Sequence, residues 1–452
     1  MSQKVYIVTD LGPGDGGKGG VVHKVATMKH AHTIVKVGGA QGSHGVCTAK
    51  GERFAFSQWG CATFEGVRTH LSNRIVISPD GLLNEADSLR YEHGVHDPFG
   101  MLTVDETALC ATPYHGIASR IREMARGDNP RGTIGTGVGE ASRMAERCPE
   151  LTIRARDLAR PNLRDLLAAV RKQVQFDLAP ILQGGFLPED AAAVQAESRL
   201  LNDDEFLAYV VRRFGEVAER ATIVDHEFLG RSILSQDGVV VVESSHGILT
   251  DHYQGFHPHT SAIRTLPRFT RAMLDEAGYG GEVVSLGVTR AYGVRHGAGP
   301  MPTADPSMAE RLLPGSHKIE NRYQGKVRVG SMDMVLLRYS IAVAGGREAF
   351  DGLAVTWFDQ VQTNGAWHVC HRYQEFGDLP VRFGEDETQL AHQQALGQQL
   401  QGCTPEISTY DVLKSAGRDQ LYELCAGVLQ ESLGVRVRMV AFGPKPQDKS
   451  CK

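Results

Sequence analysis

A chain of 452 residues with 41% hydrophobic and 22% charged residues has the composition of a folded globular protein, which excludes a disordered or fibrous one. A formal net charge of −5 provides no global positive field for a nucleic-acid partner, and no run of about 20 apolar residues offers a membrane span. Eight scattered cysteines without a CxxC pair argue against a zinc or disulfide framework, and the lack of a basic leader before the first apolar run makes the cytoplasm the expected location.

In chain order, residues 5–9 form an apolar, β-branched run that predicts a buried strand. A glycine-rich loop follows over 12–20, and residues 21–28 read as the start of a helix. Residues 33–37 repeat the strand pattern and lead into a second glycine-rich loop, 38–45. Further strands are predicted at 74–78, 239–243, 283–288 and 354–358, and helical patterns at 163–174, 203–219 and 386–400. The stretch from about 157 to 220, rich in Ala, Leu, Arg and Glu, reads as a helical insertion. Strands alternating with helices predict an α/β fold of the P-loop type: a largely parallel sheet flanked by helices, with one helical insertion. Residues 1–445 form a single domain in this reading, and the polar tail 446–452 is expected to fray.

The first loop carries the strongest chemical signal. Gly12, Gly14, Gly16, Gly17 and Gly19 surround Lys18 directly after a strand. Glycines let backbone N–H groups curl around phosphate oxygens, and a following helix N-terminus favours negative charge. Lys18 adds a point charge. Gly19 stands where a phosphate loop usually has the Ser or Thr that binds Mg²⁺, so Asp15 is the substitute ligand or a catalytic base. A glycine-rich turn without a ligand is the plainer alternative. The second loop holds Gln41, Ser43 and His44. In an open α/β sheet ligands bind at the carboxyl ends of strands, so both loops can face one site. There His44 would donate a proton or hydrogen bond to a developing negative oxygen; alone it would read as a turn residue.

These motifs resemble the adenylosuccinate synthetase family. Gly14-Asp15-Gly16-Gly17-Lys18-Gly19 resembles its G-D-E-G-K-G, and the segment from Gly38 to Val46 resembles G-G-N-N-A-G-H-T-V. Shorter echoes follow in order around Val76, Thr136, Glu243 to Gly247, Ala298 to Thr303, Thr356 to Asp359, and Phe442 to Pro444. The resemblance implies a ligase that joins aspartate to a purine nucleoside monophosphate, IMP, using GTP (or ATP) as co-substrate and Mg²⁺. The 6-oxo oxygen would take the γ-phosphoryl group, and aspartate's amine would then displace phosphate. Asp15 would remove the purine N1 proton and, with Ser43, ligate Mg²⁺. His44 would stabilise the transferred phosphoryl group. Gly14, Gly16, Gly17, Lys18, Gly19, Asp359 and Gly443 would hold the triphosphate, with Asp359 reading guanine. Gln41, Thr136, His246 and Thr260 would hold the monophosphate. A homodimer is implied, with Arg147 reaching the partner's site.

The chain departs from the family pattern most in the amino-donor loop. The family's paired threonines and arginines are replaced by the segment from Tyr323 to Asp333, in which Lys326 and Arg328 are the basic residues. Both are expected to hold aspartate's carboxylates, or Arg328 to contact the triphosphate. Gly16 replaces a glutamate, which would make room for a purine 2-amino group. That leaves open a second reading, a 2-aminoadenylosuccinate synthetase using dGMP with ATP or GTP. A third is a P-loop NTPase or nucleotide-binding regulator without ligase chemistry.

Overall fold

The computed structural model describes residues 3–312 and 323–452. Its central sheet has eleven strands: β1 (Lys4–Asp10), β2 (Ala31–Gly39), β3 (Arg68–Ile77), β4 (Leu102–Asp105), β5 (Leu109–Cys110), β6 (Thr222–Val224), β7 (Val239–Gly247), β8 (Glu282–Arg290), β9 (Gly352–Thr356), β10 (Val437–Ala441) and β11 (Lys449–Cys451). The spatial order is β11-β10-β9-β8-β1-β7-β2-β3-β4-β6, with β5 beside the end of β3. Every pairing is parallel except β10 with β11. This is the mixed α/β architecture that the alternating strand and helix patterns predict.

The apolar runs form central strands because both sheet faces are covered. Val5 and Ile7 pack on one face with Val35, Val37, Val240 and Val242. Tyr6 and Val8 pack on the other with Ile34 and Val241. Side chains alternate across a strand, so such runs have no solvent side. Because β1, β2, β7, β8 and β9 are mutually parallel, their carboxyl ends share one edge. The loops after Asp10, Gly39, Gly247, Arg290 and Thr356 all emerge there.

The helical stretch forms α5 (Leu163–Leu182), α6 (Ala191–Asn202) and α7 (Asp204–Arg220), after α1 (Lys18–Met28), α2 (Pro79–Tyr91), α3 (Pro113–Met124) and α4 (Val138–Arg147). Leu167, Val170, Val174 and Leu178 line one face of α5, and Leu207, Val210, Phe214 and Val217 one face of α7. This three-to-four spacing buries an apolar stripe against the main core, each side chain contributing roughly 1.5–3 kcal/mol.

Three expectations need correction. The strand placed at 74–78 begins at Arg68. Its first half is polar in sequence but satisfied in place: His70 Nδ1 meets Thr103 Oγ1, and Ser72 Oγ donates to the Lys36 carbonyl. The strand placed at 354–358 ends at Thr356, because Trp357 turns into the left-handed region (φ 62°) and caps the helix Phe358–Asn364. The tail does not fray. Residues 449–451 pair with β10, and Lys449 is buried, with Nζ donating to the carbonyls of Pro444 and Lys445. A polar strand covering an otherwise open sheet edge protects that edge from pairing with another chain.

Candidate active site

The first loop folds around a residue that the motif does not include. Asp10 ends β1 fully buried, and its carboxylate accepts from Gly12 N and Gly16 N, both at 2.7 Å. Lys18 Nζ donates to Asp10 Oδ2 at 3.0 Å and to the Gly14 carbonyl at 3.0 Å, with both charged side chains out of solvent. The lysine expected to meet phosphate therefore has its charge matched inside the loop. A Cβ on Gly16 would lie 2.7 Å from Asp10 Oδ2, so the glycine lets the Asp10 carboxylate sit directly beside the loop backbone. Gly19 has an equally local reason: its Cβ would lie 2.6 Å from the Gly45 carbonyl of the second loop. Gly17 caps α1.

Asp15 is the loop's outward acid. Its Oδ2 lies 3.1 Å from His296 Nε2, and both side chains are partly exposed. His296 follows the short strand Gly293–Arg295, which pairs with Arg328–Gly330. A histidine in a glycine-rich turn, Arg295-His296-Gly297-Ala298-Gly299, was the available sequence signal.

His44 sits in front of a buried ion cluster. Its Nδ1 lies 2.6 Å from Glu243 Oε1, which also receives Lys36 Nζ at 2.7 Å. The Cys61 amide donates to Glu243 Oε2 at 3.0 Å. Burial alone would raise the Glu243 carboxyl, but Lys36 and His44 outweigh it and hold the group well below the usual carboxylate range. The carboxylate thus fixes the proton on His44 Nδ1 and points Nε2 away from the cluster. Burial lowers the His44 pKa despite the pull of Glu243. His44, Cys61 and Glu243 are also the group of metal-ligand types that lies closest together among the described residues, but the Lys36 ammonium already fills the carboxylate's reach there.

In front of both loops lies a cleft of about 440 Å³. Gly14, Asp15, Gln41, Ser43, His44, Thr136, His246 and Thr260 all line it, so the structure brings together the expected catalytic, metal and monophosphate residues. Arg131, Arg143, Arg295, His259 and His296 line it too. Among the described residues, Gln41 Oε1, His44 Nε2, His246 Nε2 and His259 Nδ1 are buried and make no hydrogen bond. Such atoms cost roughly 1–3 kcal/mol each unless a ligand meets them. His246 also holds a left-handed backbone (φ 62°), a strain that concentrates at functional sites. Burial, then Lys18 and His44, lowers its pKa to about 3, so its ring is neutral.

Other expected residues lie elsewhere. Arg328 Nη2 donates to the carbonyls of Gly297 and Gly299, each at 2.8 Å, and does not line the cleft. Arg295 holds the same turn through the Ala298 carbonyl, its pKa lowered to about 9 by burial and by Arg328. Lys326 is exposed. Arg147 pairs with Asp177 of its own chain at 3.0 Å. Asp359 opens the helix Phe358–Asn364 with its carboxyl raised by burial, and Gly443 lies against Asp448, away from the cleft wall.

Comparison with known proteins identifies the family. The family model described as adenylosuccinate synthetase matches residues 7–450. The chain is 25% identical over 442 residues to the adenylosuccinate synthetase of Syntrophotalea carbinolica, covering 96% of this chain and 94% of that one. It is 26% identical to that of Nitrosomonas europaea, covering 95% and 94%. Among solved structures, the fully ligated adenylosuccinate synthetase of Plasmodium falciparum shares the fold, with a TM-score of 0.77 at 17% identity over 99% of each chain. The succinoaminodeoxyadenylate synthetase of cyanophage S-2L, bound to dGMP and dATP, aligns with a TM-score of 0.56 at 14% identity, covering 100% and 96%. The chain thus belongs to the adenylosuccinate synthetase family, the carbon–nitrogen ligases of purine biosynthesis.

Proposed function

We propose that the enzyme joins aspartate to C6 of IMP, driven by GTP, through a 6-phosphoryl intermediate. The observation that carries this reading is the set of buried, unpartnered polar atoms, Gln41 Oε1, His44 Nε2 and His246 Nε2, in the cleft that Asp15 also lines. A flat, polar heterocycle bearing a phosphate meets both needs of that cleft.

Asp15 takes the N1 proton of the purine, which moves electron density to O6. O6 attacks the γ-phosphorus, and the bond to the β,γ-bridging oxygen breaks. His296 holds the Asp15 carboxylate in place from 3.1 Å. The phosphate chain raises the affinity of His44 for a second proton. With Glu243 behind it, the imidazolium donates from Nε2 to the transferring phosphoryl oxygens. Aspartate's amine then attacks C6, a C–N bond forms, and the C6–O bond breaks to release inorganic phosphate. Mg²⁺ fits the oxygen donors Asp15 and Ser43 of the cleft, and when bound it neutralises phosphate charge.

For the donor, Arg131 on the cleft wall and Lys326 beyond it supply the cations, while Arg328 shapes the turn that carries His296 and Ala298 into the cleft. The active unit is a homodimer in which Arg147 exchanges Asp177 for the partner's nucleotide. The test is phosphate release from IMP, dIMP, GMP and dGMP with GTP or ATP, with and without aspartate. Release that needs IMP, GTP and aspartate together is expected. Release with dGMP and not IMP assigns the aminoadenylate branch instead, and release indifferent to aspartate removes the ligase reading.

A further inference from the structure

Lys18 and Asp10 are paired inside the first loop, so part of the Lys18 charge is already matched before a triphosphate binds. Arg290 stands beside the loop. It ends β8, next to β1, and pairs in register with Thr356 of β9. Thr356 Oγ1 in turn donates to the Gly16 carbonyl at 2.6 Å. Arg290 lines a small cavity together with Asp10, Gly12, Pro13, Asp15 and Gly16 of the first loop and with apolar residues such as Met332 and Leu336.

Arg290 is 6% exposed, and its Nε and Nη1 are buried without a hydrogen-bond partner among the described residues. Its guanidinium carbon lies 4.2 Å from the Trp357 ring centroid and 5.2 Å from that of Tyr292. Flat stacking on aromatic rings suits arginine and fixes the plane of the group, but leaves its in-plane donors unused. A buried cation with idle donors is unfavourable until an anion arrives. The same low dielectric then makes the attraction strong. Trp357 itself has a left-handed backbone (φ 62°), a conformation that concentrates at functional sites.

We propose that Arg290 is a further counter-cation of the triphosphate's phosphate chain, held ready beside Trp357 and Tyr292. This rests on the ligase reading above, because that reading supplies the triphosphate. The ligand class is a nucleoside triphosphate, recognised through its phosphates.

The experiment is calorimetric titration of the full-length enzyme with the β,γ-imido analogues of GTP and ATP in the presence of Mg²⁺. The variants are Arg290→Met and Arg290→Lys. Arg290→Met should weaken analogue binding roughly 10- to 100-fold, Arg290→Lys should restore part of it, and IMP binding should change less than about 3-fold. The thermal midpoint of Arg290→Met without ligand should hold or rise, because the substitution removes an unpaired buried charge. Of the three tryptophans, Trp59 and Trp367 are buried and Trp357 is 39% exposed, so analogue binding should change the fluorescence in a way that Trp357→Phe abolishes. Full analogue affinity in Arg290→Met overturns the proposal and leaves the ligase reading standing. Loss of the fold in Arg290→Met also overturns it, by showing a structural role. If the unmodified enzyme binds neither analogue, both readings fail together.

Discussion

The two glycine-rich loops stand side by side at the same sheet edge but direct their charges differently. In the first, Asp10 and Lys18 face each other inside the loop, and Asp15 is the acid that looks outward. In the second, the charges lie behind: Lys36 and Glu243 are buried under His44, whose Nε2 is turned away from them. The first loop thus turns one carboxylate toward the cleft, and the second an imidazole with a buried ion pair behind it. The comparison teaches that a loop's motif does not show which partners its charges have: Lys18 is matched by Asp10 of its own loop, while the charges behind His44 come from the Lys36–Glu243 pair, outside either loop.

The sharpest way to break the comparison is Asp15→Ala. It should lower turnover by about 10²–10⁴-fold, since a general base and a metal ligand go together, and leave the unfolding midpoint unchanged because the side chain is partly exposed. Near-normal turnover would remove the role assigned to that carboxylate. Glu243→Gln tests the support behind the second loop. It strands the Lys36 ammonium in the core, so urea unfolding should show a loss of about 3–5 kcal/mol. A loss under about 1 kcal/mol would mean that the cluster is not holding Lys36. His44→Asn keeps a donor but no titratable ring. It should lower kcat by about 10²-fold with little change in triphosphate affinity, because the role lies in the transition state. Weaker triphosphate binding with an intact rate would make His44 a binding residue.

The smallest expected effect is a pH dependence of stability. Glu85 accepts the amides of Ser57, Gln58 and Trp59 on the approach to Cys61, and burial pushes its carboxyl up to about 7 from an ordinary value of 4.5. A raised acid binds more protons folded than unfolded, so stability falls as pH rises from about 4.5 to about 7. The loss is at most about 3 kcal/mol and is full above about 7. Glu85→Gln should remove that slope between pH 5 and 8 in urea titrations. An unchanged slope would assign the pH dependence to other groups.

Much of this was legible in the sequence because it is local. Glycine clusters after β-branched runs mark strand ends and loops whatever the rest of the chain does, and two such ends, after β1 and β2, lie on the site edge. The cleft residues Asp15, Gln41, His44, Thr136, His246 and Thr260 came from motif order, and all of them line the cleft. The parts that could not be read depend on long-range register. Lys36 and Glu243 are 207 residues apart and meet because β2 and β7 pair there. The polar half of β3 is stabilised by partners on β2 and β4 that no hydropathy window contains. Asp10 reads as a strand end until its carboxylate is seen filling the space beside Gly16. The bonds of Arg328 Nη2 to the carbonyls of Gly297 and Gly299, about 30 residues earlier, likewise depend on a strand pairing that the local sequence does not show.

The central claim is that the cleft transfers a phosphoryl group onto the purine's own 6-oxygen before the amine arrives. It is tested most directly with IMP carrying ¹⁸O at C6, incubated with enzyme, GTP, Mg²⁺ and aspartate, followed by mass analysis of the released phosphate. One labelled oxygen in each phosphate released is the predicted result. Unlabelled phosphate with continuing formation of the aspartate adduct would contradict the account.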